Sequence, residues 1–320
     1  MGHLDILPTN LYNNAGKGGI GVKKSIYRCA AAFFLLVLLV QIGLPVTGYG
    51  IQPETLEQVA GTVDAQQVFV YDYDRDVMLY AKTVEGGKLY PASTTKLFTA
   101  YVALQHLQAD TVVTAGDELD MVKPGSSIAY IKKGHQLTVE MLVQAMLLPS
   151  GNDAAMVLAA AAGRAAAEDD ALTGQQAVRA FVEEMNRTAD ALQFQKSHFV
   201  NPDGFHVGSH YSCLEDMIQI GKLAMDNPVI SKYMRVPEAD VVYHSGQTNH
   251  WKNTNYLLDA ESEFYHPDAV GMKTGYTNAA GNCLMAAFAF QGRTLIIGIF
   301  GDEAKQDRFT DAAALADACK

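Results

Sequence analysis

Two short apolar runs, Gln67-Val68-Phe69-Val70-Tyr71-Asp72-Tyr73 and Val77-Met78-Leu79-Tyr80-Ala81, flank Asp74-Arg75-Asp76 and predict a β-hairpin. Tyr90-Pro91-Ala92 then leads into a helix expected over 93–105, and 111–133 reads as mixed short strand and loop. Thr138 followed by Met141, Leu142, Ala145 and Met146 marks a capped amphipathic helix that Pro149 stops. An alanine-rich helix is expected over 153–167 and another helix over 173–192. After a turn at Asn201-Pro202-Asp203-Gly204 the helical pattern returns over 213–225. Three apolar runs at 270–274, 281–290 and 294–300 then predict successive strands, and 307–319 a closing helix. Strands at both ends with helices between them imply an α+β fold, one sheet with an inserted helical region. Neither an internal repeat nor a long linker interrupts this order.

The first 50 residues stand apart from that pattern. Lys23, Lys24 and Arg28 precede an uninterrupted apolar run from Cys29 to Val40, and no further charge appears before Glu54. A basic flank, an apolar core of about a dozen residues and small residues beyond it have the form of a secretory signal. The run falls short of the roughly 18–20 residues needed to span a bilayer. Extension through Gln41-Ile42-Gly43-Leu44 makes an uncleaved anchor the alternative. Residues 1–50 are therefore expected to be a cytoplasmic leader with a signal peptide or N-terminal membrane anchor. Residues 51–320 are expected to form an exported domain, with the helical insertion over about 111–235.

Composition narrows the classes of function. With 320 residues, 49% hydrophobic and 18% charged, the chain can bury a sizeable core and is neither disordered nor collagenous. The leader holds Lys17, Lys23, Lys24 and Arg28 against Asp5. Of 24 basic and 35 acidic groups, 20 and 34 thus remain beyond residue 50, a net −14 against −11 for the whole chain. Such a surface repels phosphate backbones, which argues against nucleic acid, and anionic membranes are equally poor partners for it. Cys29 lies in the leader, while Cys213, Cys283 and Cys319 are too scattered for a disulfide framework or a metal site and read as structural. His198, His206 and His210 gather around a turn, but no His-Glu-x-x-His is present, so no metal is assigned. His210-Tyr211 is expected to pack at the base of the helix over 213–225. Trp251 and its neighbours Tyr243, Tyr256 and Tyr265 read as core or surface rather than cleft, and Asn255 as a supporting residue near a site.

Three short motifs carry chemistry. In Ser93-Thr94-Thr95-Lys96, at the start of a helix, positions i and i+3 share a face, so the hydroxyl and the amine can meet. The helix N-terminus adds partial positive charge beside the hydroxyl. A serine is a weak nucleophile without an adjacent base. A lysine becomes that base if burial or a second cation lowers its pKa from about 10.4 toward 7. Ser150-Gly151-Asn152 follows a proline stop and presents a hydroxyl and a carboxamide at a loop tip, the plain alternative being a helix cap. Lys273-Thr274-Gly275 ends an apolar strand, and its glycine lets a ligand approach the backbone closely. The plain alternative there is a strand-terminating turn.

Each motif occurs once, in this order, at separations of 57 and 123 residues. The set is similar to that of penicillin-binding proteins and class A β-lactamases. The chain most resembles the low-molecular-mass penicillin-binding proteins, the serine D-alanyl-D-alanine carboxypeptidases. The likeness runs from about residue 55 to 315 and includes Tyr90-Pro91-Ala92-Ser93-Thr94-Thr95-Lys96-Leu97, Leu148-Pro149-Ser150-Gly151-Asn152-Asp153-Ala154-Ala155, His198-Phe199-Val200-Asn201-Pro202-Asp203-Gly204 and Gly271-Met272-Lys273-Thr274-Gly275-Tyr276-Thr277.

That resemblance implies a DD-peptidase/β-lactamase-like fold over 51–320, an antiparallel sheet flanked by helices with an inserted all-helical subdomain. It implies removal of the terminal D-alanine from peptidoglycan stem pentapeptides, and acylation by β-lactams, without metal or cofactor. By position, Ser93 would be the acylated nucleophile, Lys96 its base and Ser150 the donor to the departing amine, with Lys273 a positive charge beside Lys96 and Ser150. Asn152 would hold the substrate peptide, while Thr274 and Arg308 would bind its terminal carboxylate. Gly275 would admit the substrate, and the N–H groups of Ser93 and Tyr276 would form the oxyanion hole. The β-rich domain and amphipathic anchor that often follow in this family are expected to be absent, which leaves the N-terminal segment as the only membrane attachment. A class A β-lactamase would need Glu-x-x-Leu-Asn, and the nearest string, Glu183-Glu184-Met185-Asn186, lacks its leucine. A non-catalytic β-lactam or peptidoglycan sensor would keep the pocket but would call for a signalling domain.

Overall fold

In a computed structural model that describes residues 53–320, strands from both ends of the chain meet in one sheet. The expected leader and signal or anchor over 1–50, Cys29 included, lies outside the described residues. β1 (Gln67–Asp72) and β2 (Val77–Lys82) form the hairpin foreseen around Asp74-Arg75-Asp76. β7 (Ala269–Thr277), β8 (Gly281–Phe290) and β9 (Arg293–Asp302) form an antiparallel meander, and β9 pairs with β1. The resulting order, β2-β1-β9-β8-β7, leaves β7 at an edge.

The unbroken apolar runs of β1, β8 and β9 have a direct cause: both faces of the sheet are covered. Side chains alternate between the faces. Phe69, Met285, Ala287 and Ile296 enter one core, shared with the helical layer. Val68, Val70, Leu284, Ala286, Leu295 and Ile297 enter the other, shared with α1 (Pro53–Ala60) and α8 (Asp307–Asp317).

The helical layer comprises α2 (Thr95–His106), α3 (Val139–Leu147), α4 (Asn152–Ala167), α5 (Gly174–Ala191), α6 (Leu214–Asp226) and α7 (Pro228–Tyr233). Thr138 caps α3 as the sequence suggests, accepting from the Met141 amide at 3.3 Å. α4 is buried along most of its length, and its small residues let α5 approach closely. At the crossing, a Cβ on Gly163 would lie 1.9 Å from the Ala177 carbonyl oxygen. The inserted region also carries a two-stranded sheet, β3 (Val112–Thr114) with β4 (Gln136–Thr138), and a hairpin of β5 (Glu238–Val242) and β6 (Thr248–Lys252) follows α7.

Trp251 and Tyr243 are core residues, and the indole donates to the Ala129 carbonyl at 3.2 Å. Tyr265 lies at the surface and Tyr256 borders the cleft described below. Cys213, Cys283 and Cys319 are buried thiols, and burial pushes the first two up to about 12 and the third to about 11. Among the described residues, no helix is long and apolar enough to cross a membrane.

Because a methyl at position 163 would meet main chain rather than a movable side chain, Gly163→Ala is expected to force α4 and α5 apart. The expected loss is about 2–3 kcal/mol, read from the urea midpoint of unfolding. An unchanged midpoint would contradict the crossing.

Candidate active site

Ser93 lies in the tight turn Ala92–Thr94 that opens into α2, beside β7. Ala92 adopts φ +48°, a left-handed conformation that costs a non-glycine residue about 1 kcal/mol or more. One turn further along, Lys96 is 0% exposed. Its Nζ lies 2.7 Å from Ser93 Oγ, 2.8 Å from Asn152 Oδ1 and 2.8 Å from the Asp203 carbonyl oxygen. Burial lowers the Lys96 pKa to about 8, while the Asp203 and Asp153 carboxylates pull it upward. Burial is the larger cause, and Lys273, the second cation that the sequence offers, opposes the Lys96 charge and is opposed by it.

Two of the three partners of Lys96, Asn152 and Asp203, come from distant parts of the chain. Asn152 is the first residue of α4, and the preceding Ser150 has φ +62°. Neither side chain caps the helix: the cap position is Gly151, where a Cβ would crowd the Ala145 carbonyl oxygen at 2.9 Å. The buried Asp153 carboxylate accepts from the amides of Ala129, Ile131 and Ala154, tying the loop before β4 to the start of α4. Asp203 belongs to the turn 201–204, which is fastened to α2 again where Thr99 Oγ1 donates to the Pro202 carbonyl at 2.7 Å. His210 Nε2 meets Thr95 Oγ1 at 2.9 Å and its Nδ1 accepts from the Val200 amide. Those contacts place it behind α2, as a packing residue. Burial lowers its pKa to about 3.

Lys273, on the edge strand β7, is also 0% exposed and donates to the Thr274 carbonyl oxygen at 3.0 Å. Burial, then the charges of Lys96 and Arg308, hold it well below the usual lysine range. Thr274 Oγ1 lies 2.6 Å from Thr254 Oγ1, a residue that the three motifs do not contain. Only its position next to Asn255 hinted at it. Asn255 itself supports the entry to β7, donating to the Gly271 carbonyl at 3.1 Å. A Cβ on Gly275 would stand 3.0 Å from the Ser93 amide nitrogen, so only glycine lets β7 come this close to the Ser93 peptide. The Tyr276 side chain is exposed, with its hydroxyl on Asn278, so what this residue can offer beside Ser93 is its backbone. Arg308 is buried at the start of α8 and donates to the carbonyls of Gly275 and Cys283 at 2.8 and 3.2 Å, which braces the β7–β8 pair.

Ser93, Ser150, Asn152, Thr254, Thr274, Gly275, Tyr276 and Arg308 border one cleft of about 690 Å³, with Lys96 and Lys273 buried behind it. Ser126 and Phe205 form its other walls. The string Glu183-Glu184-Met185-Asn186 is not part of it: Glu184 binds His106 and Arg187, Met185 is buried, and Asn186 clamps Phe199. Chemically, the cleft offers an alcohol with an amine at hydrogen-bond distance, hydroxyls, a carboxamide and the Arg308 guanidinium at its border.

The sequence matches the peptidase S11 family, D-alanyl-D-alanine carboxypeptidase, over residues 53–304. It is 32% identical over 251 residues to a D-alanyl-D-alanine carboxypeptidase of Streptomyces sp. strain K15, covering 74% of this chain and 80% of that one. It is 27% identical over 261 residues to the D-alanyl-D-alanine carboxypeptidase DacF of Bacillus subtilis, covering 79% of this chain but only 61% of the relative. The crystal structure of the Streptomyces K15 DD-transpeptidase superposes with a TM-score of 0.71 at 29% identity, covering 80% of this chain and 97% of that one.

Two outcomes follow from this geometry. Gly275→Ala is expected to slow reaction at Ser93 by at least about 100-fold, the usual cost of one lost amide donor, while the melting temperature barely moves. A near-normal rate would show that the approach of β7 does not matter. His210 is held neutral, with a folded pKa of about 3 against roughly 6.5 unfolded. Its contribution to stability is full above about pH 6.5 and is lost as pH falls toward 3. Unfolding of His210→Gln should therefore depend less on pH between about 7 and 5, where the wild type loses about 2 kcal/mol through this group. An equal pH dependence in the two proteins would contradict it.

Proposed function

The chain belongs to the peptidase S11 family of D-alanyl-D-alanine carboxypeptidases, and we propose that it is a serine acyl-transfer hydrolase that removes the terminal D-alanine from peptidoglycan stem pentapeptides outside the cytoplasm. The observation that carries this reading is the Lys96 amine, fully buried, lowered to about 8 and 2.7 Å from Ser93 Oγ. When Lys96 is neutral, its two N–H groups are taken by oxygens that can only accept, Asn152 Oδ1 and the Asp203 carbonyl. The lone pair is then left facing the Ser93 hydroxyl.

On this reading Ser93 Oγ attacks the carbonyl carbon between the two D-alanines and its proton passes to Lys96. The N–H groups of Ser93 and Tyr276 receive the oxyanion, a contribution of about 3–4 kcal/mol per donor. Collapse of the tetrahedral intermediate breaks the C–N bond, and the amine leaves with a proton relayed through Ser150. Water then hydrolyses the ester and frees Ser93. The carboxylate of the leaving D-alanine would sit against the Thr274 hydroxyl, with Lys273 and Arg308 as the cations nearest it. A carboxylate there favours the Lys273 ammonium that burial opposes. Asn152 would use its NH₂ group, which Lys96 leaves unengaged, to hold the substrate's peptide carbonyl. β-Lactams would acylate the same serine. An amine in place of water would give transpeptidation, the activity by which the Streptomyces K15 structures are named.

Labelled penicillin is expected to modify Ser93, and D-alanine to be released from a pentapeptide, with Ser93→Ala abolishing both. Fast loss of label as penicilloate would point instead to a β-lactamase, and stable label without peptide turnover to a sensor. Because the base must be neutral, the acylation rate should climb with pH through about 8 and level off above it. Lys96→Arg is expected to slow acylation at least 100-fold, the lower end of what a general base contributes. A flat profile would rule out Lys96 as the base.

A further inference from the structure

In the sequence, Asp203 is simply part of the turn Asn201-Pro202-Asp203-Gly204. Its residue is 1% exposed, one carboxylate oxygen accepts from the Phe205 amide at 3.0 Å, and the other is buried with no hydrogen-bond partner. A buried carboxylate that lacks a partner on one oxygen is costly to keep unless something nearby uses its charge. Its own main-chain carbonyl is one of the three acceptors of Lys96, and Ser93 Oγ lies 3.4 Å from that same oxygen. The turn cannot drift away from them. Asn201 Oδ1 and Nδ2 bind the Gly204 amide and the Phe205 carbonyl, and a Cβ on Gly204 would overlap the Ala92 carbonyl oxygen at 1.8 Å.

We propose that Asp203 is a positioning residue for the reaction, its carbonyl fixing the Lys96 amine against Ser93 and its buried carboxylate setting the field in which that amine gains and loses its proton. The inference rests on the reading of Ser93 and Lys96 as nucleophile and base. Burial raises the Asp203 pKa, and the Lys96 charge is the first influence to oppose that rise. In return, Asp203 is the first of two carboxylates that oppose the lowering of Lys96. The other groups facing Lys96 are Asp153 from α4 and Lys273 from β7, with Lys123 acting on Asp203 and Arg308 on Lys273. Asp153 spends its oxygens on three amides, so the half-partnered Asp203 carboxylate is the one whose charge is least compensated locally.

The field and a purely structural role make different predictions for Asp203→Asn in the full chain. This variant keeps the side-chain volume, the carbonyl and an acceptor for the Phe205 amide. With the negative charge gone, Lys96 should hold its proton less tightly, so the acid limb of the pH profile for acylation by fluorescent penicillin should move down by about one pH unit. The rate on the alkaline plateau should fall less than about tenfold. A limb that stays in place while the whole profile drops would overturn the proposal and leave only a packing role. Absence of any Ser93 adduct in the wild-type enzyme would instead overturn the underlying reading of nucleophile and base, and this inference with it. Should Asp203→Asn fail to fold, Asp203→Ser serves as the uncharged variant. Aspartate ¹³C-carboxyl titration of the wild type gives a reading that needs no variant. A carboxyl carbon stepping at the same pH as the acylation limb supports the proposal, and the absence of such a step overturns it.

Discussion

A lysine nitrogen with no exposed surface, held by three oxygens, is the constraint on which the rest of this structure turns. In water an amine beside a hydroxyl is an ammonium ion and no base. Burial weakens that preference and brings the neutral amine within reach near pH 8, but only if every N–H direction is met without bringing in a full counter-charge at contact distance. The chain meets the requirement with neutral oxygens: a carboxamide from the start of α4, a main-chain carbonyl from the turn 201–204, and the Ser93 hydroxyl itself. The carboxylates of Asp203 and Asp153 stay close enough to matter electrostatically, Asp153 with both oxygens on amides and Asp203 with one.

The fold supplies these partners by making the helical layer and the sheet share one core, with the cleft where they part. The edge position of β7 is part of the same arrangement, since a strand flanked on both sides could not present its backbone to a ligand. Glycines mark the places where main chain must touch main chain. Gly275 admits β7 to the Ser93 peptide, and Gly204 admits the turn to the Ala92 carbonyl. The φ of +48° at Ala92 shows that the position of Ser93 is imposed by these surroundings rather than by local preference.

Much of this was legible in the sequence because its signals are local. The hairpin around Asp74-Arg75-Asp76, the Thr138 cap and the last three strands follow from turn chemistry, capping and apolar runs, and the structure has them. The three motifs drew attention to Ser93, Ser150, Asn152 and Lys273, and the structure brings their neighbourhoods to one cleft. What stayed hidden depends on long-range contact. α1 and α7 are too short for a clear period, and β5–β6 is polar enough at Glu238, Asp240, Thr248 and His250 to pass for loop. Thr254 and the Asp203 carbonyl act through positions that only the folded chain assigns, and a main-chain oxygen leaves no trace in residue type. The same holds for the origin of the low Lys96 pKa: the sequence offered both burial and a second cation, and in the folded chain burial is the larger of the two.

The most direct test is to titrate Lys96 itself. In protein carrying ¹³C-labelled lysine, the Cε resonance that disappears in Lys96→Arg should shift with a midpoint near pH 8. A midpoint in the ordinary lysine range, about 10.4, would mean that the amine is almost wholly ammonium even at pH 8 and cannot take the proton from Ser93.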